Sequence, residues 1–457
     1  MGRVAAPHII TDDSALGGSV IERSLRFNNN DSANLTRTSS STSNTFTYSA
    51  WIKRCKFTGY QYIFSLGGAR GFAFHTNNTF YLYDGSNLNE STAVFRDSSA
   101  WYHIVVQINS GTATSYINNA LVHNAVGGGA FAFTTGTNET RIGFLSPSYY
   151  YFDGYMAEVN LVDGSVLAPS SFGYTDSQTG LWRPKRYEGT YGTNGFHLEF
   201  PQSALGKDTS GNGNDFLTNN FSVSAGAGND SLEDAPTNNY STLNPLFKNS
   251  SSYESNGTIE NGALGHSSVG SVTNAYANVT LPTVGQYYWE VRISSINSAS
   301  LGIMEAGGNI NRSVLYNNDG TISQDNASAQ SGLGAWSNTD IIGISYYADD
   351  TTISPTSAKI QFYRNGSAQG SPLTLTTWTN PYIPFSRINA YADFNFGQRA
   401  FDYTPPIGFG KLSARDIIPV SPSIIRPQKH FDTLLYTAPG NAMSVTGLEF
   451  KPDLIWQ

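Results

Sequence analysis

Residues 45–54 read TFTYSAWIKR, and the alternation in that stretch decides the fold. Aromatic and β-branched residues alternate with polar ones at period two, which is the pattern of a half-buried strand and not of a helix. The same pattern runs through YQYIFSLG (60–67), GFAFHT (71–76), TFYLYDG (79–85), WYHIVVQI (101–108), TATSYINNALV (112–122) and GYMAEVNLVDG (154–164), and GFHLEF (195–200) supplies a late strand. Gly, Asn and Asp punctuate the runs, and no comparably long stretch carries a helical 3.6-residue period. The expected fold class is therefore all-β, with antiparallel sheets packed face to face in tandem β-sandwiches.

Composition sets the remaining bounds. At 457 residues the chain has room for roughly three domains of ~150 residues, each able to bury a core. Charged residues make up 13%, about half the usual ~25%. Aromatic residues also make up 13%, with 27 Tyr and 26 Phe, a composition opposite to that of disordered chains. A net charge of −8 without a Lys/Arg cluster argues against a nucleic-acid partner, which needs a concentrated basic surface. Membrane insertion is not expected, since no segment approaches ~20 apolar residues and MGRVAAPHIITDD at the start lacks the apolar core of a signal peptide. A single cysteine, Cys55, leaves no internal disulfide framework and no cysteine zinc cluster. The Asn-x-Ser/Thr sequons, such as that at Asn34, follow from composition alone.

Strand patterning breaks over residues 201–250, where SAGAGNDSLEDAPTNNYSTLNPL is rich in turn residues. It resumes in GQYYWEVRISS (285–295), LGIMEAG (301–307), DIIGISYYAD (340–349), AKIQFYRNGSAQG (358–370) and INAYADFNFGQRAF (388–401). Within the fourth of these, Arg364-Asn365-Gly366-Ser367 predicts a tight hairpin, because a type I′ turn needs positive φ at both central residues. The expected organisation is an N-terminal arm (1–22), a first sandwich (23–200), a linker (201–250), a second sandwich (251–410) and the start of a further β module (411–457).

Residues 24–200 resemble the laminin G-like, concanavalin A-type jelly-roll domain, through FTYSAWIKR, WYHIVVQINSGTATSYINNALV and YFDGYMAEVNLVDGSVL. Residues 253–410 resemble a SPRY domain, through YYWEVRI, DIIGISYYAD, KIQFYRNG and NFGQRAF in that order. With an opening SLRFN…DSANLTR and a closing DTLLYTAPGN…VTGLEFKPDLIW, the tandem is similar to bacteriophage tail-fibre and other virion-appendage proteins. That resemblance implies a homo-oligomer, typically a trimer, exposed on the particle. It further implies attachment to other virion proteins through residues 1–22, and β-sandwiches presented to a host surface glycan or protein.

The chemistry-bearing motifs are few. Glucanases of the concanavalin-like fold carry Glu-x-Asp-x-x-Glu on one strand, placing carboxylates on one face. Glu158-Val159-Asn160-Leu161-Val162-Asp163 departs from it, with an amide in the middle and Asp163 in an Asp-Gly turn, so only Glu158 sits on the strand. No H-E-x-x-H or Gly-x-Ser-x-Gly pattern occurs, and the expectation is a protein without catalytic activity. A polysaccharide depolymerase and a head or neck decoration protein with no receptor are the alternatives. Glycan binding asks only for exposed aromatic faces and a few polar groups on a rigid scaffold. Tyr149 and Tyr150 in SPSYYYFDG and Trp378 in TTWTNPY are the candidates, against a plainer reading as loop core or subunit contact. Trp51, Trp101 and Trp289 occupy strand patterns and are expected in the core.

One loop, KDTSGNGNDF (207–216), invites a metal reading. Asp208, Ser210 and Asn212 fall at spacing 1, 3 and 5 with Gly213 at 6, like the opening of a calcium loop, but position 12 is Asn219 and not Glu. The plainer reading is a solvent-exposed turn closing the first sandwich, and it resembles a D-x-S-G-N-G-N turn of laminin G-like sequences. No cofactor other than calcium at these three residues is expected.

Overall fold

The computed structural model describes residues 18–39, 41–67, 70–127, 131–133, 139–145, 150–176, 179–247, 257–307, 310–349, 358–376 and 380–417. All strand pairs among them are antiparallel, in keeping with the all-β expectation. No described helix is long and apolar enough to cross a membrane.

One sheet of the first sandwich has eight strands. Its order is Ala120–Val126, Thr112–Ile117, Trp101–Asn109, Phe46–Arg54, Gly154–Asp163, Ser24–Phe27 and Ser231–Leu232, with Phe196–Leu198 also paired to Gly154–Asp163. The facing sheet has seven, in the order Leu217–Asn219, Asn34–Thr38, Glu139–Ile142, Gln61–Leu66, Arg70–Phe74, Thr79–Tyr83 and Leu88–Val94. Alternation sorts the side chains as a pleat requires. Phe46, Tyr48, Ala50 and Ile52 enter a shared core with Phe64, Phe72, Phe80 and Leu82, while Thr47, Ser49, Trp51 and Lys53 point the other way.

That second face differs from a half-buried strand, because all nine residues of Phe46–Arg54 are buried. Its polar groups are matched individually. Thr47 donates to the Ser165 carbonyl at 2.8 Å, and Ser49 Oγ lies 2.8 Å from His103 Nε2. Lys53 Nζ donates to Asp234 Oδ2 at 2.7 Å with both side chains fully buried. Trp51 and Trp101 belong to the core that also holds Trp289 and Tyr276, so the outer face of the first sandwich packs on the second.

Eleven strands build the second sandwich around Val284–Glu305 and Tyr382–Asn395, which pair along most of their lengths. Val284–Glu305 also pairs with Ile341–Asp349 near its start and with Ser313–Asn317 near its end. The predicted hairpin joins Lys359–Arg364 to Ser367–Thr374, with φ of 48° at Asn365 and 77° at Gly366.

Residues 201–247 are not an exposed linker. Leu217–Asn219 pairs with Asn34–Thr38, and Ser231–Leu232 pairs with Ser24–Phe27, so both complete sheets of the first sandwich. Asp230, Asp234, Tyr240 and Leu243 are buried in the seam between the sandwiches. The turn-rich composition misleads because its carboxylates and amides cap buried groups: Asp230 pairs with Arg26 at 2.9 Å, and Asp234 Oδ1 accepts from Trp101 Nε1 and the Tyr240 amide, each at 3.2 Å.

Of the arm, residues 1–17 lie outside the described residues. Its end docks on the chain itself, with Ile21 buried and its carbonyl accepting from Thr237 Oγ1 at 2.6 Å. Of the expected further module, residues 411–417 pack on the seam through Leu412 and Ala414. Residues 418–457 lie outside the described residues.

Candidate functional site

The seven-stranded sheet turns its tyrosines outward. In Gln61–Leu66, Arg70–Phe74 and Thr79–Tyr83 the residues Phe64, Phe72, Phe74, Phe80 and Leu82 fill the core, while Tyr62, Ala73 and Tyr81 form a separate cluster on the opposite face. Tyr62 stands opposite Ala73, and Ala73 opposite Tyr81. A small residue between two rings lets them approach, and their centroids are 5.8 Å apart and edge-on.

Tyr150 lies over this floor. Its ring is 4.8 Å from Tyr60 and 6.1 Å from Tyr62, nearly parallel to the latter at 22°. Tyr150 adopts φ of 64°, and its carbonyl accepts the Tyr62 amide at 3.3 Å, which ties the loop to the sheet. At 46% exposure it offers a ring to solvent, whereas Tyr62 and Tyr81 are buried. Burial pushes the Tyr62 hydroxyl up to about 12 and raises Tyr81 as well, so both stay neutral donors at physiological pH. His75 joins the aromatic edge, 4.7 Å from Tyr60 and 5.6 Å from Tyr81.

A carboxylate stands beside the rings. Glu90 faces Tyr81 across the sheet; its Oε2 accepts from Asn77 Nδ2 at 2.8 Å and Thr79 Oγ1 at 3.0 Å, and its Oε1 lies 3.8 Å from His75 Nε2. The Asn77 hydrogen bond, more than the other contacts, holds Glu90 below the ordinary carboxylate range. Stacked rings flanked by a charged acceptor and amide groups can pack on an apolar ring face and hydrogen-bond its substituents.

Among the sequence candidates, Tyr149 and Trp378 lie outside the described residues and Tyr150 joins this cluster. Tyr60, Tyr62, Tyr81, His75 and Glu90 were not singled out from the sequence. The available signal was the tyrosine at every other position of YQYIF and TFYLY; in TFYLY it falls on the phase opposite to Phe80, whereas Tyr62 and Phe64 share a phase and are separated only by a register shift between them.

The 207–216 loop is built as a turn. Asp208 is 3% exposed; its Oδ1 accepts from the amides of His197 and Ser210, each at 2.9 Å, and its Oδ2 accepts from Ser210 Oγ at 2.9 Å and the Asn214 amide at 2.8 Å. A carboxylate has about four lone-pair sites, and these donors use them. Asn212 donates its amide to the Gly192 and Gly195 carbonyls at 2.6 and 2.9 Å. Asp208, Ser210 and Asn212 therefore brace the loop against its neighbours, as Asx turns do.

Glu158 stands apart from the carboxylate pattern suggested by the sequence. Asp163 turns away to accept from the Asn194 amide and side chain, each at 2.9 Å. Glu158 instead meets two residues of the late strand region, His197 and Glu199, and one potential ligand atom from each of the three lies within 4.8 Å of the others. His197 Nε2 is 2.8 Å from Glu158 Oε1. Burial opposes charge on the imidazole, but the hydrogen bond and charge of Glu158, helped by Glu199, hold it above the ordinary histidine value.

Residues 27–170 match the model of the family described as the concanavalin A-like lectin/glucanases superfamily. No curated protein matches the chain. Solved structures similar to it include the native heptameric SAP-like pentraxin of Limulus polyphemus, at 14% identity over 33% of this chain and 80% of that one, with a TM-score of 0.28. A human SPRY domain is similar at 18% identity over 30% of this chain and 91% of its own, with a TM-score of 0.24. Domain 4 of an extracellular arabinanase from Geobacillus stearothermophilus, solved with arabinotriose, shows 18% identity over 28% and 65%, with a TM-score of 0.24. Over residues 27–170 the chain carries a laminin G-like, concanavalin A-like domain.

Proposed function

We propose that this chain recognises a surface glycan through the outward tyrosine face of its first sandwich, and does so by binding without turnover. The observation that carries the reading is the arrangement of Tyr150 over Tyr60 and Tyr62 beside Glu90, on a domain of concanavalin A-like type. A rigid sheet holds the aromatic floor, so little ordering entropy opposes binding. Weak single-site affinity would be raised by repetition, since linked copies gain avidity without new contacts.

The setting we propose is an exposed appendage of a phage particle, with the chain in a homo-oligomer, a trimer by preference, attached to other virion proteins through residues 1–22. Support for this setting comes from the resemblance of the sequence segments to virion appendages. Incubating the full chain with immobilised host polysaccharide tests the functional reading. Retention on the glycan without new reducing ends is the expected result. Absence of retention, or release of new reducing ends, contradicts it.

A further inference from the structure

We infer that Glu158, His197 and Glu199 form a binding site for one divalent transition-metal ion of the zinc class, on the outer face of the eight-stranded sheet. The inference is independent of the tyrosine face. Three chain features place the ligands. Glu158 sits at a bulge: Ala157 pairs with Trp51 and Asn160 with Ser49, so Glu158 and Val159 together oppose Ala50. Val159 keeps its place in the core, while Glu158, at φ of 50°, reaches the neighbouring strand. Bulges re-aim side chains in this way and are enriched beside functional sites. His197 and Glu199 then follow two apart on one face of GFHLEF, alternating with Phe196 and Leu198 in the core.

The imidazole is held as a ligand is held. Its Nδ1 lies 2.9 Å from Thr209 Oγ1, its ring stacks on Tyr191 at 13° and 6.0 Å, and its backbone amide is fixed by Asp208. Metal-bound histidines characteristically commit the second ring nitrogen to such a partner. Thr209 takes up Nδ1, which leaves Nε2 to meet Glu158 Oε1 at 2.8 Å, where a proton joins the pair in the ion-free protein. A divalent ion would take the place of that proton, with both atoms as its ligands. Glu199 brings a second carboxylate to the same point, and none of the described residues donates a hydrogen bond to it. Zinc–ligand bonds of about 2.0–2.2 Å place neighbouring ligand atoms about 3.3 Å apart, so an ion would draw together three atoms that lie within 4.8 Å of one another. One nitrogen and two carboxylates suit zinc or its neighbours, whereas calcium asks for six to eight oxygens. A fourth position stays open to water.

Titration of the full chain with zinc chloride by calorimetry, followed by visible absorption with Co2+ in place of zinc, tests the site. The expected result is one saturable ion per chain, a Co2+ spectrum displaced by zinc, and affinity at least tenfold weaker in Glu199→Gln. If that variant does not fold by circular dichroism, Glu199→Asp carries the same test, since a shortened ligand also weakens binding tenfold or more. No saturable binding by the unaltered chain, or unchanged affinity in the folded variant, overturns the assignment.

Discussion

Asp153 shows how one buried group carries a measurable signature. It is 3% exposed, and its Oδ2 accepts a long 3.3 Å bond from the Asn29 amide; that bond, the Gly262 amide and the charges of Lys56 and Arg26 favour its ionised form but do not offset burial. Burial pushes its carboxyl up to about 6, above the unfolded value of about 3.9. Between these values the native state binds more protons than the unfolded state, so stability from this group falls as pH rises from about 4 to 6 and stays lowered above that. Asp153→Asn removes the titration. Melting curves should show the variant gaining on the parent across that window, by about 1–3 kcal/mol at neutral pH; a gap constant with pH contradicts the assignment. Nothing in FDG distinguishes this aspartate from a turn residue, because its burial depends on strands far away in the chain.

At the scale of elements, local signals were legible and partner-dependent ones were not. Asn365-Gly366 specified its own turn, and the structure adds a steric reason: a Cβ on Gly366 would lie 2.7 Å from Tyr403 Cδ1, on a backbone at φ of 77°. Gly366→Ala should cost about 1–2 kcal/mol by thermal unfolding, and Asn365→Gly about 0.5–1.5 kcal/mol because Asn365 Oδ1 accepts the Ile341 amide at 2.9 Å; no loss in Gly366→Ala would contradict the turn assignment. The period-two runs likewise announced their strands. The bulge at Glu158 left no local mark, since it exists only relative to Phe46–Arg54, and so the meeting of Glu158 with His197 and Glu199 could not be read from spacing. The tyrosine face was half legible: alternation placed Tyr81 opposite Phe80 and Leu82, but Tyr62 shares the phase of Phe64 and reaches the tyrosine side only through a register shift between them.

Across the whole molecule the seam is the feature the composition concealed. Polar residues of 201–247 looked like a connector because turn formers and buried caps are the same residue types. In the structure Lys53 reaches Asp234, Asn239 and the Tyr240 carbonyl at 2.7–2.9 Å, which leaves its ammonium fully satisfied. Removing one partner strands the other: Lys53→Met should destabilise by about 3–5 kcal/mol. A shared core of Trp51, Trp101, Trp289 and Tyr276 further predicts that the two sandwiches unfold together. Calorimetry of the full chain should show one transition for them, lowered by Lys53→Met; two resolved sandwich transitions in the unaltered chain contradict the seam.

The central claim is that the tyrosine face binds sugar. Its most direct measurement is calorimetric titration of the full chain and of Tyr150→Ala with an oligosaccharide of the host surface polysaccharide. A stacking ring is worth about 0.5–1.5 kcal/mol, so affinity should fall about two- to tenfold with the melting temperature unchanged. Equal affinity in the two proteins, or no binding by either, contradicts the account.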